Sequence, residues 1–299
     1  MSKQFKADLA LFGVALSWGA SFILTKNSLD SLATYNFLAI RFILAFVVSA
    51  VIFYKNMLKI NKNTVKYGGL IGFILFSGYA FQTVGINYTT ASKSAFITGF
   101  SVVLVPILSS LLLKEKPQQS SILGAILALI GLALLTLNGS LALNIGDFYT
   151  LICAFAFAMH IITVGKYTTK VDSIALGVIQ IGVVGFLSIL VSLFIETPII
   201  PSGNGVWGNV FILSLVCTSG AFIVQSAAQK YTTATHTALI YTGEPVFAAL
   251  FAYIVAGEVL SFRGLVGALL ILMGMLVAEI DFVTLFKTSL KKNTPEEIK

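Results

Sequence analysis

The chain is expected to be an all-α integral membrane protein: ten transmembrane helices arranged as two inverted five-helix repeats. Three observations lead there. First, 57% of its 299 residues are hydrophobic and only 10% are charged, with mean hydropathy +0.95. A soluble domain carries about 25% charged residues, so lipid rather than water is the natural solvent here. Second, the apolar residues fall into runs long enough to cross a bilayer as helix. Third, residues 82–137 align with 225–280 at a constant offset of 143 without a gap. Tyr88-Thr89-Thr90-Ala91 fall on Tyr231-Thr232-Thr233-Ala234, Gln82 on Gln225, Gly124 on Gly267 and Gly131 on Gly274. A long internal repeat in a hydropathic chain points to a transporter, because two halves rocking about a shared site give alternating access.

A bilayer core takes about 20 residues of apolar helix. Ten runs qualify: 8–25, 34–54, 67–86, 94–113, 120–138, 147–165, 174–195, 209–229, 236–256 and 263–282. Span 1 follows Lys3 and Lys6 and has the look of a signal peptide. Asp8–Asn27, however, matches Asp147–Lys166 in the second copy, so it reads as part of the fold. The loops are short, which suits antiparallel neighbours. In spans 5 and 10, Gly124/Gly131 and Gly267/Gly274 are seven residues apart and share a helix face, forming grooves for close packing between the halves and away from any pore. Cys153 and Cys217 lie within apolar runs and read as small core residues. The first unit spans 1–138 and the second 147–282. The tail 283–299 is charged, contains Pro295 and reads as a disordered cytoplasmic segment.

Charge sets the expected orientation. With the N-terminus inside, fifteen lysines flank the spans on the inner side, against Lys26, Lys93 and Arg263 on the outer side. Both termini are therefore expected in the cytoplasm. Five spans per copy invert the second copy. The charges agree: Lys114 and Lys116 flank Glu115, whereas Gly257 and Val259 flank its counterpart Glu258. The lysine-rich loop 55–66 corresponds to loop 196–208, which has no Lys or Arg. The net charge of +7 sits in short loops and not on one face, which excludes a nucleic-acid partner.

Several stretches resemble the drug/metabolite transporter superfamily and, within it, the EamA-type ten-span permeases. They are Trp18-Gly19-Ala20-Ser21-Phe22, Arg41-Phe42, the run Gln82 to Phe96, Glu244-Pro245-Val246-Phe247-Ala248-Ala249-Leu250 and Gly257-Glu258. The resemblance covers 8–282. It implies two EamA-type five-helix repeats, a central cavity between them and export from the cytosol. It does not select among amino acids, other metabolites and drugs. The second-half counterpart of the span 1 signature, Ala156-Phe157-Ala158-Met159-His160, lacks the tryptophan.

A transport site needs polar groups at mid-membrane depth. Span 4 carries Ser94, Thr98 and Ser101 at i, i+4, i+7, and span 9 carries Thr237, Tyr241 and Glu244 on the equivalent face. Such stripes either line a cavity or bond their own backbone carbonyls. Glu244 is the sharpest residue, since a charge at the bilayer centre costs on the order of 3 kcal/mol or more. It reads as a counter-charge for a cation or amine, a protonatable coupling group, or a buried acid bonded to a neighbouring helix. Pro245 frees a carbonyl one turn earlier, near Tyr241. Gln82 and Gln225 are able to hold a zwitterion or clamp a helix. His160 takes the place of Ser21 in the second copy, as a proton relay or a structural donor. Ser17, Ser21 and Thr25 form a further stripe, with Trp18 beside it. Arg41 and Lys93 read as groups able to bind an anionic substrate, or Arg41 as part of a salt bridge or carbonyl cluster at the outer rim, and Glu115 and Glu258 as groups serving helix ends.

No metal motif, phosphate-binding loop, nucleophile triad or cofactor signature is present. The expected function is a secondary transporter of the cytoplasmic membrane that exports a small polar or amphipathic metabolite, an amino acid, by alternating access. Glu244, Tyr241, Thr98, Ser101, Gln82, Gln225, His160 and Ser21 would bind the substrate. Protons are the candidate coupling ion, through Glu244 or His160, and facilitated diffusion fits equally. The rivals are a drug or cation exporter of the same fold, a lipid-acting membrane enzyme and a passive channel. Cysteines placed at Lys114 and Gly257 are predicted to label from opposite faces of the membrane with an impermeant reagent. Labelling from one face would overturn the inverted repeat.

Overall fold

The computed structural model describes residues 2–112, 119–136 and 144–279, and among them it contains helices and no strand. Glu115 with its flanking lysines, and the tail 283–299, lie outside these residues. The helices are α1 (Lys3–Leu29), α2 (Thr34–Ile52), the single turn α3 (Tyr54–Met57), α4 (Lys62–Ile86), α5 (Ala91–Leu112), α6 (Gln119–Thr136), α7 (Ile145–Tyr167), α8 (Ser173–Ile195), α9 (Asn204–Ser214), α10 (Ala221–Ala228), α11 (Ala234–Tyr241), α12 (Gly243–Ala256) and α13 (Phe262–Glu279). A π-helical segment, Leu215–Gly220, joins α9 to α10, and a 3₁₀ turn follows at Gln229–Tyr231. Within the described residues, the ten expected runs fall on helix, apart from single turn residues at Phe53 and Thr242. Among the described residues, eight helical stretches are long and apolar enough to cross a membrane, while α6 and α13 carry shorter apolar runs, Ile122–Leu135 and Phe262–Val277.

Local chemistry explains where the helices start and break. Side-chain oxygens of Ser2, Asn61, Asn144, Asp172 and Thr233 accept from backbone N–H groups in the first turns of α1, α4, α7, α8 and α11. Glu258 does the same from a distance. Its carboxylate accepts from the N–H of Ala91 (3.1 Å), the N–H of Ser92 (3.1 Å) and the hydroxyl of Ser92 (2.9 Å) at the start of α5. Glu196 caps the start of α2 through the N–H groups of Tyr35 and Asn36. The ninth span parts at Thr242, because Pro245 has no N–H to give the carbonyl of Tyr241. Chain direction reverses after α12 through Gly257, at φ 64°.

The molecule is inside out relative to a water-soluble protein. Leu9, Phe12 and Leu16 on α1, Phe186 and Phe194 on α8, and Leu265, Leu269 and Leu276 on α13 are exposed. Arg41, Asn36, Asp147, His160, Gln180 and Gln225 are buried. Lipid takes the apolar faces, and polar groups turn inward where protein can satisfy them.

The most extensive helix contact joins α6 to α13. A Cβ on Gly131 would lie 2.5 Å from the carbonyl oxygen of Gly267. One on Gly267 would lie 2.6 Å from that of Gly131, and one on Gly274 2.6 Å from that of Gly124. Backbone meets backbone, as the seven-residue spacing leads one to expect. Elsewhere α2 packs on α8, α7 on α4 and α5, and α1 on α10 and α12. The partners of α1 and α7 occupy equivalent places in the two halves. Gly267→Val is predicted to destabilise the protein by about 1–3 kcal/mol through forced separation of α6 and α13. A lowered thermal unfolding midpoint in detergent checks this, and an unchanged one refutes the seam.

Candidate functional site

One cavity sits where α1, α4, α5, α7, α10, α11 and α12 converge. Its walls are Trp18, Ser21, Phe22, Leu75, Tyr79, Gln82, Thr98, Gly99, Ser101, Val102, Phe157, His160, Ile161, Phe222, Gln225, Tyr241 and Glu244. All eight residues expected to bind substrate are here. Neither α6 nor α13 contributes a wall residue.

The lining is assembled in pairs. Tyr79 and Phe222, Gln82 and Gln225, Thr98 and Tyr241, and Ser101 and Glu244 each differ by 143 positions. Trp18 and Phe157, Ser21 and His160, and Phe22 and Ile161 each differ by 139. The change of offset falls between spans 2 and 3, where the first copy has four fewer residues than the second. Each half thus presents the same helix faces to one space. The chemistry is uneven, however: the ionisable members of these pairs, apart from Tyr79, stand on the second half.

The polar groups divide into those with partners and those without. Nε2 of His160 lies 2.7 Å from Oε1 of Gln180, whose amide nitrogen donates to Oγ of Ser226 at 3.1 Å. Gln82 donates to Oγ1 of Thr98 at 3.2 Å, bracing α5 from α4. Ser21 donates to the carbonyl of Trp18, and the indole N–H of Trp18 donates to the carbonyl of Cys217 at 3.0 Å. By contrast, both amide atoms of Gln225 and the hydroxyl of Tyr241 are buried without a hydrogen-bond partner. The carboxylate of Glu244 forms no hydrogen bond or ion pair among the described residues. A buried polar atom left unpaired costs about 1–3 kcal/mol. Two such side chains beside the half-buried, unpaired carboxylate of Glu244 mark a place where something polar belongs.

The space is narrow. Its volume is about 540 Å³, part of it open to its surroundings. The aromatic rings cause the constriction. Trp18 packs on Phe222 (5.2 Å between centroids) and on Tyr241 (5.1 Å), and Tyr79 packs edge-on against Phe157 (5.4 Å).

Several expected positions fall elsewhere. Ser94 is fully buried, with its hydroxyl unpaired and outside the cavity, and Thr237 bonds back to the carbonyl of Thr233. Ser17 bonds back to Val14. The three-residue stripes extend beyond the crevice: Thr98 with Ser101, Tyr241 with Glu244, and Ser21 alone of its stripe reach it. Arg41 is not a rim residue. It is 1% exposed, its Nε donates to Oγ1 of Thr218 at 2.8 Å, and its guanidinium lies 5.1 Å from the ring of Tyr79. The π-helical segment supplies that hydroxyl, and Arg41 thereby ties α2 to span 8 directly behind the cavity wall. Cys153 and Cys217 are buried free thiols. Tyr79, Phe157 and Phe222 were not singled out from sequence. The repeat held the signal: Phe157 stands opposite Trp18, and Phe222 opposite Tyr79.

Comparisons with known proteins show the family and the fold. The profile of the EamA-like transporter family matches residues 5–137 and 144–279. A protein of Archaeoglobus fulgidus named an uncharacterized transporter is 34% identical over 278 residues, covering 93% of this chain and 87% of its own. The uncharacterized transporter YyaM of Bacillus subtilis is 28% identical over 291 residues, covering 92% and 94%. A solved crystal structure, 18% identical, superposes with TM-score 0.71 over 96% of this chain and 99% of its own, which shows a shared fold.

The unpaired amide makes a stability prediction. Gln225→Leu is expected to raise the unfolding midpoint of the empty protein, by about 1 kcal/mol of stability, because it removes an unsatisfied group. Gln180→Leu is expected to lower it, because it strands His160 and Ser226. Equal effects of the two in thermal unfolding would refute the assignment of partners.

Proposed function

From the premise that this chain belongs to the EamA-like transporter family, and is therefore a multi-pass membrane transporter, we propose that it is a secondary transporter of the cytoplasmic membrane. It exports a small polar or amphipathic metabolite, an amino acid, by alternating access between two inverted five-helix repeats. The observation that carries this reading is the paired lining. A cavity to which both copies contribute equivalent faces is where two rocking halves hold a shared substrate. Both termini lie in the cytoplasm on this reading, which the distribution of lysines supports.

The residues suggest how a substrate is held. Glu244 offers a carboxylate without a protein counter-charge, suited to an ammonium group. Gln225 offers a donor and an acceptor, suited to a carboxylate or an amide. The hydroxyl of Tyr241 adds a second such group, and Thr98 and Ser101 face them from α5. Ring faces of Trp18, Tyr79, Phe157 and Phe222 enclose the apolar part of the molecule. The aromatic rings constrict the space, and parting of the halves would widen it for such a molecule. Gradient energy enters through protons at Glu244 or His160, or the substrate's own gradient suffices.

A second reading, export of a drug-like organic cation, is favoured by the single carboxylate among aromatic rings, since such rings attract a cation within about 6 Å of their centroids. The two readings part on the substrate's carboxylate. In proteoliposomes, the amino-acid reading expects counterflow of amino acids and little of the corresponding decarboxylated amines, and the cation reading expects the reverse. Glu244→Gln is predicted to insert normally and to lose flux on the order of 10- to 100-fold, the worth of a charge-assisted contact. Flux equal to that of the unaltered protein would remove Glu244 from the site.

A further inference from the structure

Among the described residues, a Lys–Asp ion pair and a His–Asp contact outside the cavity occupy equivalent places. Nζ of Lys93 is 2.6 Å from Oδ2 of Asp147, joining the start of α5 to the start of α7. Nε2 of His236 is 3.2 Å from Oδ1 of Asp8, joining the start of α11 to the start of α1. Lys93 and His236 differ by 143 positions, and Asp147 and Asp8 by 139, the same two offsets that relate the cavity walls. Asp8 stands ten residues before Trp18, as Asp147 stands ten before Phe157. Lys93 stands five before Thr98, as His236 stands five before Tyr241.

The pairs sit at opposite ends of the bundle. Lys26, near the end of α1, donates to the carbonyl of Thr89 just before α5, and the hydroxyl of Thr89 donates to Oδ1 of Asp147 at 2.8 Å. The finish of α1 therefore meets the Lys93 pair, while Asp8 lies eighteen residues earlier on the same helix. At 1.5 Å per residue that separation is about 27 Å, close to the thickness of a bilayer core. Each pair joins two helices that line the cavity: α5 and α7 at one end, α11 and α1 at the other.

Both contacts are made, and they differ in burial. Side chains of Lys93 and Asp147 are 21% and 1% exposed, whereas those of His236 and Asp8 are 38% and 28% exposed. We propose that Lys93 with Asp147 and His236 with Asp8 are the two gates of the cavity, tightened in alternation, and that this structure has the Lys93 end the more tightly closed. Ion pairs suit the task. Each charge regains hydration when the pair parts, so opening and closing differ by little free energy. A gate of apolar side chains would instead lose its whole burial on opening. The paired offsets explain how one chain obtains matched gates: each is a copy of the other, placed at the opposite face by the inverted repeat.

The inference rests on reading the chain as an alternating-access carrier, and its test reads accessibility without substrate. In a background with Cys153→Ser and Cys217→Ser, Ser101→Cys places a reporter thiol in the cavity. The reconstituted protein is labelled with an impermeant maleimide from either face. Lys93→Gln is expected to raise labelling from the Lys93 face on the order of tenfold and to lower it from the other, and His236→Gln to do the opposite. Exchanging the charges, with Lys93→Asp and Asp147→Lys together, is expected to restore the parent rates. Asp8→Asn repeats the test at the exposed pair, where folding is least at risk. Changes at the same face for both pairs, or no change at either, would overturn the gates. So would an exchange variant that folds but labels like Lys93→Gln. A Glu244→Gln protein that keeps full flux while the gates respond as stated would fault the substrate site alone.

Discussion

Hydrocarbon offers no hydrogen bonds, so a polar side chain on a membrane helix must find its partner in protein or line a space that holds one. The arrangement of this chain follows from that constraint. Its outward surfaces carry Leu, Ile and Phe, and its buried interior carries Arg41, Asn36, Asp147, His160, Gln180 and Gln225. Burying apolar side chains does little to hold such helices together, because lipid tails are as apolar as the residues themselves. Cohesion has to come from close backbone packing and from polar contacts.

Backbone packing governs α6 and α13. Their glycines let carbonyl oxygens of one helix approach the Cα atoms of the other so closely that no methyl group fits. Such a seam is stiff. Polar contacts hold span 8 instead. Arg41 bonds Thr218, Ser49 bonds Ser219 at 2.7 Å, Trp18 bonds the carbonyl of Cys217, and Gln180 bonds Ser226. Three of these reach the π-helical segment, where the widened turn exposes backbone and hydroxyls to neighbours. The helices that line the cavity use both means: a Cβ on Gly85 of α4 would lie 2.8 Å from the carbonyl oxygen of Gly146 on α7, and one on Gly146 2.5 Å from that of Gly85, while α10 is held by the contact of Ser226 with Gln180.

Much of this was legible in sequence, and for a definite reason. A period of 143 without gaps from residue 82 to 137 preserves helix phase, so equivalent residues face equivalent directions. Gln82 with Gln225 and Ser101 with Glu244 could be matched without coordinates. The aromatic walls were not legible from polarity, because Phe157 and Phe222 look like any lipid-facing phenylalanine, and only their register against Trp18 and Tyr79 distinguishes them. Arg41 was misplaced because depth along a helix says nothing about which neighbour stands beside it. Thr218, its partner, lies 177 residues away in a segment whose π-helical turn shifts the face presented. Ser94 and Thr237 were assigned to the cavity because helical spacing defines a face, whereas a crevice selects only part of one.

Duplication explains the geometry of the site but not its chemistry. Two equal copies would give a cavity with equal walls, and a substrate with two different ends would bind such walls in either direction. Here the equivalent positions have diverged in one sense: Ser21, Thr98 and Ser101 on the first half face His160, Tyr241 and Glu244 on the second. Small neutral hydroxyls face larger groups that carry charge or a directed hydrogen bond. A substrate with an ammonium end then has a preferred orientation, since only one wall offers a carboxylate. The unpaired atoms of Gln225 and Tyr241 belong to the same wall. Leaving them unpaired lowers the stability of the empty protein, and partners brought by a bound molecule would restore it. Stability given up on one half of a symmetric frame is how that frame acquires a direction.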